Sequence, residues 1–278
     1  MNLLQFNKIS NDHKFAGVGF AGNIFIVLNA LSQISNDKKL FVDMSKNACV
    51  CTEKEHTLFN TDNCWEYYFD QEARPVHVDQ FFDSVTCGSI SYNNQEIFKD
   101  PSDFVTLKDK FYNSFSLKED LNQKINEYYE SKIKNLVTLG VQVRLTDMKR
   151  YNNVSDIQQY INSIKKILIE NASIQQIFLA SDSIESIHEI QRSVDIPIIY
   201  HEDFYRADII NQHLDPYDRH AYVRPMHNYK LGLECMREIY ALSKCDFLLK
   251  ADISAISMVS IMLTENIKKV YSNDLFNR

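Results

Sequence analysis

The chain is short of the residues that interrupt regular structure. Glycine occurs 6 times and proline 5 times in 278 residues, against average usages of about 7% and 5%. That excludes collagen-like and low-complexity chains, and it leaves turns to Asn, Asp and Ser. Long apolar runs are missing as well. No stretch nears the ~18 uninterrupted apolar residues of a membrane-spanning helix, so no integral membrane segment is expected. The opening, MNLLQFNKISNDHKF, lacks the charged-then-apolar pattern of a secretory signal, and the expected location is cytoplasmic. Positive charge is in deficit: 30 Lys and Arg face 37 Asp and Glu, a net charge of −7. Phosphate backbones and anionic membranes demand a basic face, so neither nucleic acid nor a membrane surface is an expected partner.

Metal-ligand patterns are also missing. The six cysteines, at 49, 51, 64, 87, 235 and 245, form one C-x-C and no C-x-x-C. Without H-E-x-x-H, H-x-E or D-x-D, no metal site is expected. Without G-x-S-x-G there is no hydrolase nucleophile elbow.

What is present is a globular composition, 45% hydrophobic and 12% aromatic. The first ~135 residues show few clean periods. From Asn135 onward, short apolar strands alternate with amphipathic helices. Strands are expected over 135–144, 177–180, 196–200, 246–249 and 269–272. Helices are expected over 155–170, 183–192, 229–243 and 254–263, with Ser155 as an N-cap and Leu231, Cys235, Ile239 and Leu242 as one apolar face. Such alternation implies a parallel sheet with right-handed crossovers. Ligands then bind beyond the carboxyl ends of the strands.

That rule selects candidates. Arg144, in V-Q-V-R-L-T-D, ends the first strand. It is either a bidentate phosphate clamp or the partner of Asp147 in a turn. Asp182 and Ser183 follow the second strand and serve either ribose and base or a helix N-cap. Ser254, Ser257 and Ser260 recur along the last helix; the first suits a diphosphate at the helix N-terminus, and all three suit close packing. In the N-terminal part, KFAGVGFAG holds Gly17, Gly19 and Gly22 before the apolar run Asn23–Leu31, and Asp43 ends the next strand, 40–43. A Gly-rich turn feeding a helix, then an acid, raises a dinucleotide-binding oxidoreductase as one reading. Against it, the segment before Gly17 reads as polar and short for a strand.

Together these residues resemble the superfamily of GDP-fucose-dependent fucosyltransferases: α1,6-, α1,2- and protein O-fucosyltransferases. The family's H-x-R-R-[GT]-D block is similar to Gln142-Val143-Arg144-Leu145-Thr146-Asp147. Its "ATDD" strand end is similar to Ala180-Ser181-Asp182-Ser183, and its C-terminal block resembles Glu234–Met262. GFAGN at 19–23 resembles the Gly-rich first loop, and W-E-Y-Y-F at 65–69 a Trp-aromatic segment of the α1,6 branch. The resemblance implies an α/β GT-B fold, two Rossmann-like domains facing a cleft, with residues 1–134 on the acceptor side and 135–278 binding the nucleotide sugar. It implies inverting, metal-independent transfer from a GDP-fucose donor to a glycan acceptor, without a cofactor.

By the same resemblance Arg144 neutralises the donor β-phosphate, with Gln142 and Asp147 in its block. Asp182 and Ser183 sit by the nucleotide, His227 flanks the base, Glu238 reads guanine, and Ser254 binds phosphate. Gly19, Gly22 and Asn23 belong to the Gly-rich loop on the donor. Two departures stand out: Gln142 replaces the family's His, and Leu145 its second Arg. Transfer also requires a carboxylate as general base. Asp43, Glu66 and Asp70 are the candidates. Alternatives are a GT-B enzyme with another GDP- or UDP-sugar and a non-catalytic nucleotide-sugar-binding relative.

Overall fold

The tetrapeptide Asn2–Gln5 forms a strand, β1, with all four residues buried. A computed structural model of the chain describes residues 1–5, 19–45, 58–83, 104–145, 156–206, 224–251 and 254–272. The chain divides into two units, each discontinuous in sequence. One comprises Met1–Asn94, Ser102–Lys124 and Arg219–Met236; the other Gln95–Pro101, Ile125–Asp218 and Arg237–Arg278.

In the first unit, β1 leads to helix α1 (Phe20–Ser32) and strand β2 (Leu40–Asp43). β3 (Phe69–Asp70) and β4 (Phe81–Asp83) follow, then α2 (Val105–Ser114) and β5 (Ser116–Leu117). The main sheet is parallel, in the order β2-β1-β4. β1 was not expected, and its presence removes the sequence argument that no strand precedes the Gly-rich turn. α1 is apolar on every side and buried from Phe20 to Leu31, as a helix covering a sheet within a core must be. Its C-terminal end is met by a buried cation: Lys110 Nζ donates to the oxygens of Leu31 in the last turn (3.3 Å) and of Ile34 just beyond the helix (2.5 Å). W-E-Y-Y-F is mostly core. Trp65, Tyr67, Tyr68 and Phe69 are at most 1% exposed. Trp65 stacks on Phe69 at 4.3 Å and meets Phe115 edge-on at 5.0 Å.

Helix α3 (Glu119–Tyr128) precedes the strands of the second unit. These are β6 (Thr138–Val143), β7 (Gln176–Ser181), β8 (Ile198–Ile199), β9 (Phe247–Lys250) and β10 (Lys269–Ser272). Helices α4 (Ile157–Glu170), α5 (Ile184–Ser193), α6 (His227–Ser243) and α7 (Ala255–Met262) alternate with them. All pairings are parallel, in the order β10-β9-β6-β7-β8. Counted within this unit, that is 3-2-1-4-5, the doubly wound order, and the winding reverses between β6 and β9.

Two local expectations need correction. Asp156, not Ser155, caps α4: Oδ1 accepts from Gln159 N at 2.8 Å, and Gln159 Oε1 accepts from Asp156 N at 2.7 Å, a reciprocal capping box. On α6 the buried apolar side chains are Met236, Ile239, Tyr240, Ala241 and Leu242, while Leu231 and Cys235 are only half-buried.

The close approach of the end of α6 and the residues just after it to β6 rests on Gly140. A Cβ there would lie 3.1 Å from Leu242 Cδ2 and 3.2 Å from Cys245 Sγ. Gly140→Val is expected to cost about 1–3 kcal/mol by overpacking. Urea denaturation will show it as a lower midpoint at unchanged slope.

Candidate functional site

The winding reversal in the second unit gathers the chemistry expected from sequence. Val141 pairs with Leu249, so Gln142 and Arg144 leave β6 beside the end of β9. Gln142 is 3% exposed, and its Oε1 accepts from Ser257 Oγ at 2.7 Å. Ser257 Oγ in turn accepts from Ala251 N at 3.1 Å, tying the first turn of α7 to the ends of both strands. Arg144 is half-buried just past β6. Ser254 is the N-cap residue of α7, extended at φ −150°, yet its side chain caps nothing. Its hydroxyl is buried, the residue 2% exposed, with no hydrogen-bond partner among the described residues. Leaving a buried hydroxyl unpaired costs about 1–3 kcal/mol. Lys250 is buried at the end of β9.

On the other side of β6, Asp182 Oδ1 accepts from Leu145 N at 3.3 Å. Ser183 is the N-cap of α5: Oγ accepts from Ser186 N at 3.3 Å and donates to Glu185 Oε2 at 2.9 Å. Arg206 fastens the end of β7, its Nε donating to Ser181 O at 3.2 Å. Glu238 lies half-buried on α6. Thr146, Asp147 and Asp252 lie outside the described residues.

The first unit holds the other candidates. Gly19 precedes α1 at φ −63°, a conformation open to any residue, and a Cβ there would touch nothing within 4 Å. Gly22 and Asn23 are buried in the first turns, where Asn23 N donates to Gly19 O at 3.2 Å. Gly17 lies outside the described residues. His227 begins α6, its Nδ1 3.3 Å from Arg224 Nε. Arg224 also forks onto Glu234 at 2.7 and 2.8 Å, a pair that the sequence did not reveal.

Asp43, Glu66 and Asp70 come together around one cavity of about 420 Å³. Asp43 is saturated there. Oδ1 accepts from Ser45 N (3.0 Å) and Ser45 Oγ (2.6 Å); Oδ2 accepts from Gln5 Nε2 (3.2 Å) and pairs with Arg74 (3.0 Å). Burial raises its carboxyl pKa, but Ser45, Arg74 and Gln5 outweigh it and hold the group below the usual carboxylate range. With every acceptor site taken, Asp43 has none left for a ribose hydroxyl, which removes the acid of the dinucleotide reading.

Glu66 differs. Thr61 Oγ1 donates to Oε2 at 2.6 Å, and Asn63 Nδ2 (3.3 Å) and Gln71 Nε2 (3.0 Å) donate to Oε1. Among the described residues Oε2 thus keeps one acceptor site. Asn63 and Gln71 position this carboxylate from the sheet edge. Asn63 Nδ2 donates to Val42 O at 2.8 Å, and Gln71 bonds Val42 through both N (3.0 Å) and O (2.9 Å), closing the free side of β2. Neither amide was singled out in the sequence; both sit in polar stretches without a period. Asp70 is exposed and paired with Lys118.

At the cavity wall Phe59 takes φ 56° and Asn60 φ 57°. Two successive non-glycine residues in the left-handed region are a strained arrangement. Phe59 is 54% exposed. Among the described residues no group of three or more His, Cys, Asp or Glu is placed to hold a metal. No helix among them is long and apolar enough to cross a membrane.

A scan against protein-family models and a search of curated proteins find no match. Among solved structures the chain is similar to NodZ alpha-1,6-fucosyltransferase co-crystallized with GDP: 12% identity, 95% of this chain and 92% of that one covered, TM-score 0.59. It is similar to fucosyltransferase NodZ from Bradyrhizobium (12%, 95% and 93%, TM-score 0.56). It is also similar to a variant of Arabidopsis thaliana FUT1 in complex with GDP (11%, 94% and 68%, TM-score 0.52). At such identities the likeness establishes the fold: GT-B, built of two Rossmann-like α/β units.

Because the native carboxyl of Asp43 is depressed, its stabilising contribution is complete above the unfolded value of about 3.9. It is lost as pH falls through the lower folded value. Asp43→Asn is therefore expected to lower the thermal midpoint at pH 7. The gap to the parent narrows below about pH 4, as thermal melts across pH will read.

Proposed function

We propose that the chain is an inverting, metal-independent glycosyltransferase that moves fucose from GDP-fucose to a glycan hydroxyl. The observation that carries this reading is the unpartnered buried Ser254 hydroxyl at the N-cap of α7, at the winding reversal of a doubly wound sheet where Arg144 follows the end of β6. A diphosphate oxygen there receives the Ser254 hydroxyl, the free N–H groups of the first turn of α7 and a permanently charged fork. The structures of similar fold named above as holding GDP support the same choice of nucleotide. On this reading residues 135–278 take the nucleotide sugar and residues 1–134 the acceptor. Asp182 and Ser183 lie by the nucleotide and Glu238 reads guanine, while Gly19, Gly22, Asn23 and His227 complete donor binding.

In the reaction the acceptor oxygen attacks the anomeric carbon from the face opposite the diphosphate. The carbon–oxygen bond to the diphosphate breaks, and its electron pair leaves with GDP. The hydroxyl proton passes to a carboxylate, and Glu66, with its remaining acceptor site on Oε2, is the base we assign. The negative charge growing on the diphosphate is met by Arg144 and the α7 N-terminus. Gln142, held by Ser257 where the family has His, remains uncharged at every pH.

Arg144→Ala is expected to lose about 2.7–4 kcal/mol of transition-state stabilisation, the scale of a lost oxyanion donor. Arg144→Lys keeps the charge without the fork and is also expected to be strongly impaired. Initial rates with GDP-fucose in excess EDTA are the measurement. Parent activity should persist with the chelator; near-parent rates in both variants, or activity restored only by Mn²⁺, contradict the assignment.

A further inference from the structure

The cavity beside β2 has a composition that selects among acceptors. Its walls carry five carboxylates, Asp43, Asp62, Glu66, Asp70 and Glu72, against two cations, Arg74 and Lys118. Arg74 is spent on Asp43 and Lys118 on Asp70, and Glu72 is paired with Lys39, which leaves Asp62 and Glu66 as the uncompensated carboxylates. Among the described residues no cation pairs with Glu66, whose three donors are all neutral. An entering anion therefore meets uncompensated negative charge and no free cation on the described walls. Hydroxyl and ammonium groups meet acceptors.

The second observation is independent of charge. Phe59, a lining residue of the cavity, is 54% exposed on a backbone held at φ 56°. Its ring is braced by Tyr67 at 6.3 Å and, edge-on, by Tyr229 at 6.0 Å. A large apolar ring kept partly in water, on strained backbone, beside carboxylates fits a flat ligand with an apolar face and a polar rim. A pyranose has both: its axial C–H bonds meet the negative face of an aromatic ring, and its hydroxyls donate to carboxylates. An amino group on the sugar gains further, from the carboxylates and from the ring.

We propose that this cavity takes an uncharged or amino-bearing sugar ring laid against Phe59, and excludes sugars bearing carboxylate, sulfate or phosphate. The inference rests on the glycosyltransferase reading and names the chemical class of its acceptor.

The test uses the full chain without donor and three matched probes: methyl β-glucoside, its 2-amino-2-deoxy analogue and methyl β-glucuronide. Saturation-transfer NMR at low ionic strength gives their dissociation constants. The glucoside and the amino sugar are expected to bind, and the glucuronide at least ~10-fold more weakly, a gap of about 1.4 kcal/mol. Phe59→Ala should weaken the glucoside by about fivefold, and Phe59→Trp should retain binding. The proposal is overturned by a glucuronide that binds as well as the glucoside, by an unchanged Phe59→Ala variant, or by no glucoside binding at all. GDP binding, followed in the same samples by thermal shift, reads the donor site separately. Sugar selectivity without GDP binding removes the glycosyltransferase reading and leaves the cavity's preference standing. GDP binding without the sugar pattern removes this inference alone.

Discussion

The hydrogen bond from Ser257 to Gln142, 2.7 Å long and fully buried, fixes the geometry at the winding reversal of the second unit. It joins the first turn of α7 to the end of β6, and the Ala251 amide on the same hydroxyl adds the end of β9. Once those three are tied, the N-terminus of α7 has one position relative to Arg144. Ser254 then sits buried where nothing described meets its hydroxyl. Parallel strands place loop ends on one side of a sheet by topology. What this bond adds is precision; on the proposed reading a diphosphate is held only if the guanidinium fork and the helix N-terminus converge on it. Gly140 contributes from beneath by letting Leu242 and Cys245 pack directly on β6.

In the first unit the comparable constraint is the free edge of β2. Gln71 supplies both halves of a strand's hydrogen bonding to Val42, and Asn63 adds a second donor. The same two amides hold Glu66. Edge protection and carboxylate positioning are thus one structure, and the aromatic core of Trp65, Phe69, Phe111 and Phe115 is the floor on which it rests. Asp43 and Glu66 share a cavity but not a role. Four donors neutralise the first, while the second keeps an acceptor site beside neutral groups only.

The second unit was largely legible in the sequence because its strands and helices alternate with clear periods. β10 matches its expected range to the residue, and β6, β7, β9 and α7 differ by one to three residues at an end. The strand-end rule expected Arg144, Asp182 and Ser254 after the carboxyl ends of strands, and they follow β6, β7 and β9 in the structure. The serines of α7 show where pattern stops informing. Ser254 is unpartnered, Ser257 bonds Gln142, and Ser260 bonds back to Ile256 O at 2.8 Å, although their spacing is identical. The first unit was less legible for physical reasons. β1 is four residues long with polar ends, and β3 and β5 are two residues each, too short to show a period. Its organising residues, Asn63, Gln71 and Lys110, act through side-chain bonds to backbone that no periodicity encodes.

The central claim is that the winding reversal between β6 and β9 binds a guanine nucleoside diphosphate without metal. Thermal unfolding in EDTA, with GDP, UDP, ADP or NAD each in large excess, tests it most directly. A ligand at 100-fold its dissociation constant adds about 2.7 kcal/mol of stability. The account expects GDP to raise the midpoint most, with a smaller rise in Ser254→Ala. A rise with NAD and none with GDP would contradict it.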